Sequence, residues 1–326
     1  MPPAAPSDRR DPVAIRRWAC ELGVDLHGDP RVLVDTSNYL HIDRGDVLDL
    51  GGALYLVVGN EHEGRFGIDE QPKYWVKRAL GIPGGEAYVV KLVCEESFTT
   101  RVAGEAFECR RSAAKEARIL ETVGDHPNFM HGRGIVDSAG NLVRIIDFIQ
   151  GETLLAYFGS LGGLTHEAYT QQLLPRMLAK AWHCFAGIAF LHQQGLCHGD
   201  IRNDHVILDD ASGRARWIDF DFTRPSLSFD VWSLGNVLNC VLAKGFVTFH
   251  NLKLTHPELL DKIDGSDASI FFPHRVMNVD KVYPWIPERL VAMLRRFSVA
   301  GTTPYERADQ VVTDLGDCMD ALGWQK

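Results

Sequence analysis

"LCHGDIRNDHVILDDASGRARWIDFDF", residues 196–222, is the stretch on which the fold turns. It sets His198, His205 and aspartates 200, 204, 209, 210, 219 and 221 among Ile, Val, Leu and Trp. "HVIL" (205–208) and "ARWIDFDF" (215–222) have the texture of short strands around the turn "DDASG" (209–213). Carboxylates among apolar strand residues are costly to bury unless each has a partner. Hard metal cations take oxygen ligands, and a carboxylate beside an incoming hydroxyl can orient it and accept its proton. The stretch therefore reads as the holder of a nucleotide's metal ions and of its acceptor.

The rest of the chain sets bounds on that reading. Its 326 residues suffice for one large domain or two smaller ones. Hydrophobic residues at 45% and charged residues at 24% are ordinary for a globular protein, and a net charge of -9 predicts no nucleic-acid partner. The N-terminus lacks a signal-length apolar core, and no run is long enough to span a membrane. Seven scattered cysteines without a C-x-x-C predict free thiols in a reducing cytoplasm. No H-E-x-x-H pair points to zinc.

Along the chain, a short helix is predicted near 12–23, then an extended lead-in. "ALYLVVGN" (53–60), "KYWVKRAL" (73–80) and "EAYVVKLV" (86–93) read as strands, the last two forming a hairpin across "GIPGG" (81–85). "AFECRRSAAKEARILETV" (106–123) has helical composition, and "GIVDSAGNLVRIIDFI" (134–149) reads as a hairpin turned at Ala139-Gly140. Beyond that point helices dominate, at 174–195, 229–244, 286–297 and 306–322. The expectation is an α+β chain with an N-terminal extension (1–45), a β-rich part (46–148) and an α-rich part (149–326).

These motifs, in this order, resemble the protein-kinase-like phosphotransferase superfamily. "HGD" (198–200) is similar to its catalytic loop as found in aminoglycoside and other bacterial kinases, and "IDFD" (218–221) stands at its metal-binding D-F-G. "VVKLV" resembles the strand bearing the ATP-contacting lysine, here Lys91. "AAKEARILETVGDHPNFM" resembles the helix bearing that lysine's partner, here Glu116. "RIIDFIQGETL" resembles the adenine-contacting strand and hinge, implying Asp147, Phe148 and Ile149. "FDVWSLGNVL" resembles the helix whose aspartate, Asp230, braces the catalytic loop. The resemblance implies a bilobal kinase-like fold with a β-rich N-lobe and an α-rich C-lobe. It also implies ATP with Mg²⁺ or Mn²⁺, Asp200 as catalytic base, and Asp219 as principal metal ligand.

Five departures sharpen the expectations. His205 occupies the place of the family's metal-binding Asn, and Asp221 that of the D-F-G glycine, so both are candidate assisting ligands. "GNEHEGRFG" (59–67) fits neither G-x-G-x-x-G nor a Walker A, leaving Gly59, Gly64, Arg65 and Gly67 as candidate phosphate contacts. The segment between Asp219 and Asp230 is too short for an activation loop, so no switch through Thr223, Ser226 or Ser228 is expected. Residues 244–285 replace the usual lower-lobe helices and are expected to serve an acceptor, either a protein Ser/Thr or a small hydroxylated molecule. The competing function is a catalytically impaired pseudokinase that binds nucleotide as a regulatory or scaffold module.

Overall fold

A computed structural model describes residues 9–65, 68–102, 105–223 and 227–326, which fall into two compact units. One comprises the described residues up to Glu96 together with Arg111–Gly124 and Met130–Phe148; the other comprises Ser97–Arg110, Asp125–Phe129 and Ile149–Lys326.

The first unit is a seven-stranded sheet with two helices. Numbered along the chain, its strands are β1 (Val32–Leu33), β2 (Val47–Leu50), β3 (Ala53–Arg65), β4 (Ile68–Ile82), β5 (Ala87–Lys91), β8 (Gly132–Val136) and β9 (Leu142–Asp147). They lie in the order β1-β2-β3-β4-β5-β9-β8, and every pair except the parallel β1/β2 is antiparallel. Both expected hairpins, at 81–85 and at Ala139-Gly140, are present as β4/β5 and β8/β9.

Period-two alternation divides the apolar side chains between the two faces of this sheet. Tyr55 and Val57 join Leu48, Val90 and Ile145 on one face. Leu54 and Leu56 join Val47 and Ile82 on the other, where helix α1 (Pro12–Glu21) contributes Ile15 and Ala19. The first helix is thus part of the sheet's core. Full burial of Ile15 alone contributes about 1.5–3 kcal/mol. A second tie joins the lead-in to the β8/β9 turn. The Thr36 backbone N–H and hydroxyl both donate to Asp137 Oδ2 at 2.7 Å, and Ser138 N–H donates to the Val34 carbonyl at 3.0 Å.

Helix α2 (Ala113–Val123) is capped by Ser112, whose hydroxyl accepts the Lys115 N–H. The helix expected over 106–123 therefore holds only from 113. Residues 105–111 form strand β7 (Glu105–Arg111), paired with β6 (Ser97–Val102) on one side and β13 (Phe222–Thr223) on the other. Tertiary pairing overrode a helical composition there.

The second unit is mainly helical. Strand β10 (Gly151–Thr153) leads into α3 (Leu154–Ser160), α4 (His166–Gln172) and α5 (Leu174–Gln193). The antiparallel strands β11 (Val206–Asp209) and β12 (Ala215–Trp217) follow α5, and β10 pairs with β11. Helices α6 (Leu227–Leu242), α7 (Phe249–Thr255), α8 (Glu288–Arg295) and α9 (Ala308–Ala321) complete it. In α5 the buried Met177, Leu178, Ala181, Phe185, Ile188 and Leu191 recur at helical spacing, and Gly195 follows at φ 70. A β-rich N-terminal region and a helical C-terminal region are consistent with the expected α+β kinase-like fold.

Residues 244–285 are anchored by polar and ring contacts. Asn239 of α6 donates to the Val276 carbonyl at 3.0 Å, and Asp267 accepts from Lys281 Nζ at 2.7 Å. His166 lies flat on Tyr283, with ring centroids 3.6 Å apart, and accepts Trp285 Nε1–H at Nδ1, 2.9 Å away.

Candidate functional site

In the first unit the site residues meet at the end of β5. Its last residue, Lys91, sits opposite Arg144 of β9 in the strand register. Two cations in one cross-strand pair repel each other. Glu116, in the first turn of α2, gives one carboxylate oxygen to each. Lys91 Nζ donates to Oε1 at 2.7 Å and Arg144 Nε donates to Oε2 at 3.1 Å. Arg144 Nη1 also donates to the carbonyls of Leu92 and Leu142, at 3.2 and 3.0 Å. All three side chains are buried, so screening by water is weak. One carboxylate thus holds two cations, one on each oxygen. Lys91 and Glu116 were expected together. Arg144 was missed, because an Arg in "LVRIID" carries no pattern that separates it from an edge residue.

In the second unit Asp230 of α6 organises the loop before β11. Its carboxylate, fully buried, accepts the His198 N–H at 2.7 Å, the Gly199 N–H at 2.8 Å and His192 Nε2–H at 3.0 Å. Burial pushes its pKa up, but the bond from His192 and the nearby imidazoles outweigh burial and hold it below the usual carboxylate range. The His198 ring is boxed edge-on by Trp217 and Phe220. These contacts fix the backbone on which Asp200 stands.

His205 bridges the two principal aspartates. Its Nδ1–H donates to the Asp200 carbonyl at 2.8 Å and lies 3.5 Å from Asp200 Oδ2, while Nε2 faces Asp219 Oδ2 at 3.7 Å. A carbonyl can only accept, so Nδ1 carries a proton. Asp219 has φ 62, a left-handed conformation that few side chains tolerate and that costs about 1–3 kcal/mol. Such strain at an aspartate facing a buried imidazole marks a place where carboxylate position matters more than backbone ease. An oxygen of Asp219 lies within 4.8 Å of one of Asp221, close enough for both to bind one cation. Asn203 Oδ1 is buried and accepts no hydrogen bond among the described residues.

Oxygen donors at Asp219 and Asp221 fit Mg²⁺ or Mn²⁺, and a neighbouring imidazole favours the softer Mn²⁺. Arg202, which the sequence reading passed over, donates to Asp204 Oδ1 at 2.9 Å. Burial lowers its pKa, yet Asp204 and the charges of Asp200 and Asp219 raise it overall. The signal was available, since Arg202 stands two residues after Asp200.

The other expected residues are placed as follows. Gly59 lies at a register shift in β3, with open space where a Cβ would point. Gly64 and Arg65 end β3 as backbone; Gly67, the Arg65 side chain and Ser226 lie outside the described residues. Asp147 closes β9, and the N–H of exposed Phe148 donates to the Ala87 carbonyl at 3.1 Å. Ile149 opens the second unit.

No family model matches the chain. It is 22% identical over 230 residues to the CBL-interacting protein kinase 20 of Oryza sativa, covering 60% of this chain and 46% of that protein. It is 25% identical over 275 residues to the CBL-interacting protein kinase 8 of the same plant, covering 71% of this chain and 56% of the relative. The Gallus gallus ribosomal protein S6 kinase 2 alpha matches at 24% over 231 residues, or 60% of this chain and 29% of its own. These similarities support a protein-kinase-like chain. The matches span about half the length of the two plant relatives. Among the described residues no helix is long and apolar enough to cross a membrane.

Proposed function

We propose that the chain transfers the γ-phosphate of ATP to a hydroxyl, with Mg²⁺ or Mn²⁺ as the working metal. The observation that carries this reading is the buried Lys91–Glu116 contact at 2.7 Å. A flexible ammonium held on a carboxylate is pre-positioned for a phosphate, and phosphoryl transfer asks mainly for positioning and charge neutralisation. Arg144 adds to the charge that Lys91 presents.

Asp200 would orient the acceptor hydroxyl and take its proton, on a loop that Asp230 holds still. Asp219 and Asp221 would hold the metal, which when bound neutralises charge on the phosphates. His205 would fix both aspartates and serve as an assisting ligand. Asp147, Phe148 and Ile149 are assigned to the adenine, and Gly59, Gly64, Arg65 and Gly67 to the phosphates.

Residues 244–285 are assigned to the acceptor side. Arg275, stacked between Phe246 and Phe272 at 4.1 and 4.3 Å, feels the charges of Asp204 and Arg202 near the catalytic loop. The acceptor is a protein Ser/Thr or a small hydroxylated molecule. One observation favours the pseudokinase reading: the imidazole of His205 faces Asp219 where the family has an amide.

Transfer of labelled γ-phosphate, measured for wild type and Asp200→Asn beside nucleotide binding by thermal shift, separates the two. Transfer lost in Asp200→Asn with binding retained supports the kinase. Binding without transfer in either supports the pseudokinase, and absence of binding at about millimolar ATP rejects both.

A further inference from the structure

A cavity of about 630 Å³ lies in the helical unit, away from the aspartates described above. Arg176, Lys180 and His183 line it from α5, at the i, i+4 and i+7 positions of one helix face. Arg214 lines it from the turn between β11 and β12, and Trp324 and Lys326 from the segment after α9. No acidic side chain is among its lining residues, in a chain of net charge -9.

The walls are fixed. Lys180 Nζ donates to the Gly213 carbonyl, which ties α5 to the turn carrying Arg214. Gly323 has φ 70 and the Trp324 N–H reaches back to the Met319 carbonyl at 2.9 Å, a helix-ending turn that sets Trp324 in place. Lys326 is held by Asp320 at 2.7 Å and lies over the Trp182 ring. By contrast, Arg176, Lys180 and Arg214 have no carboxylate partner among the described residues. Burial and neighbouring cations hold Lys180 and His183 below their ordinary pKa values, so these groups already feel one another's charge.

Like charges stacked on one helix face and facing a third cation across a cavity repel without an anion between them. We infer that this cavity binds a small, multiply charged oxyanion, a phosphorylated or polycarboxylated molecule, at a site separate from the proposed phosphotransfer residues. Its concavity and volume suit a small molecule, within the usual range of ligand pockets. Guanidinium forks at Arg176 and Arg214 match the paired oxygens of either anion class.

Calorimetric titration of the full chain with pyrophosphate, and separately with citrate, without nucleotide and at low salt, tests this. The comparison proteins are the double variants Arg176→Ala/Arg214→Ala and Arg176→Lys/Arg214→Lys; both positions are exposed, so the fold should be kept. At least one of the two anions should bind with Kd below about 1 mM. The Ala double variant should weaken it about tenfold or more, and the Lys double variant, which keeps the charge but loses the forks, by a smaller factor of about threefold to tenfold. ATP affinity should be unchanged in both. No heat from either anion at about 5 mM, or equal affinity in wild type and the Ala double variant, overturns the inference. Equal affinity would show that the anion sits elsewhere, the nucleotide-binding residues included.

Discussion

Removing either partner of a two-membered ion pair leaves one buried charge, but the Lys91–Glu116–Arg144 group has three members, and its two ends are not equivalent. Glu116→Gln leaves Lys91 and Arg144 in register without the carboxylate that joins them. Lys91→Met leaves a neutral Glu116–Arg144 pair whose 3.1 Å contact is intact. At an effective dielectric of about 20, each contact near 3 Å represents roughly 5 kcal/mol of attraction before desolvation. Two cations about 5–6 Å apart repel by roughly 3 kcal/mol. Glu116→Gln loses both attractions and keeps the repulsion, so it should cost about 3–5 kcal/mol after relaxation. Lys91→Met loses one attraction but is relieved of the repulsion and of burying an ammonium, for a net cost of about 0–1.5 kcal/mol. Two units need not unfold together, so native-state hydrogen exchange of the β5, β9 and α2 amides is the measurement to make. A Lys91→Met cost equal to or above that of Glu116→Gln would refute this charge accounting.

Three further outcomes are expected. His166 is held down to about 4, by burial first and by Lys244 second, against the raising effect of the Leu242 carbonyl. Its folded pKa lies below its unfolded value near 6.5, so its contribution is full above about pH 6.5 and lost as pH falls towards 4. Discounted for partial exposure, the loss is about 1–2 kcal/mol, and urea midpoints of His166→Gln against pH should lack that slope. Asp137 is pushed up by burial, but hydrogen bonds from Asn141 and Thr36 bring it to about 2. Its contribution is present above about pH 4 and disappears as pH falls through 2, so Asp137→Asn should cost about 1 kcal/mol at neutral pH and nothing in strong acid. Asp230→Asn keeps one acceptor oxygen but sets an amide N–H₂ either against the Gly199 N–H or against the N–H donors of His198 and His192; it should cost about 3 kcal/mol by thermal melting and lower turnover at least a hundredfold. Activity retained in that variant would remove Asp230 from its bracing role.

What could be read from the residues was local or ordered along the chain. The α5 pattern, the "GIPGG" hairpin and the Lys91, Glu116, Asp200 and Asp219 series each lie within a short window or a fixed succession. The strand at 105–111 was not legible, because "EAFECRR" owes its state to β6 and β13, the latter more than a hundred residues away. The docking of Ile15 beneath β3, the pairing of Arg144 with Glu116, and Arg214 facing the α5 cations depend likewise on register and chain return. No periodicity in a single sequence carries that information.

The Thr36–Asp137 clasp joins residues 101 apart in the chain. During vectorial synthesis the lead-in leaves the ribosome long before its partner exists. At about 5–20 residues per second, Thr36 waits roughly 5–20 s for Asp137. Ile15 can find the apolar face of β4 far sooner, once Ile82 has been made. That order of synthesis lets α1 dock on the sheet before the clasp can close. A nascent chain halted short of Asp137 should carry a docked α1 and an open lead-in, with the Val34–Ser37 amides exposed to proteases until the β8/β9 turn arrives.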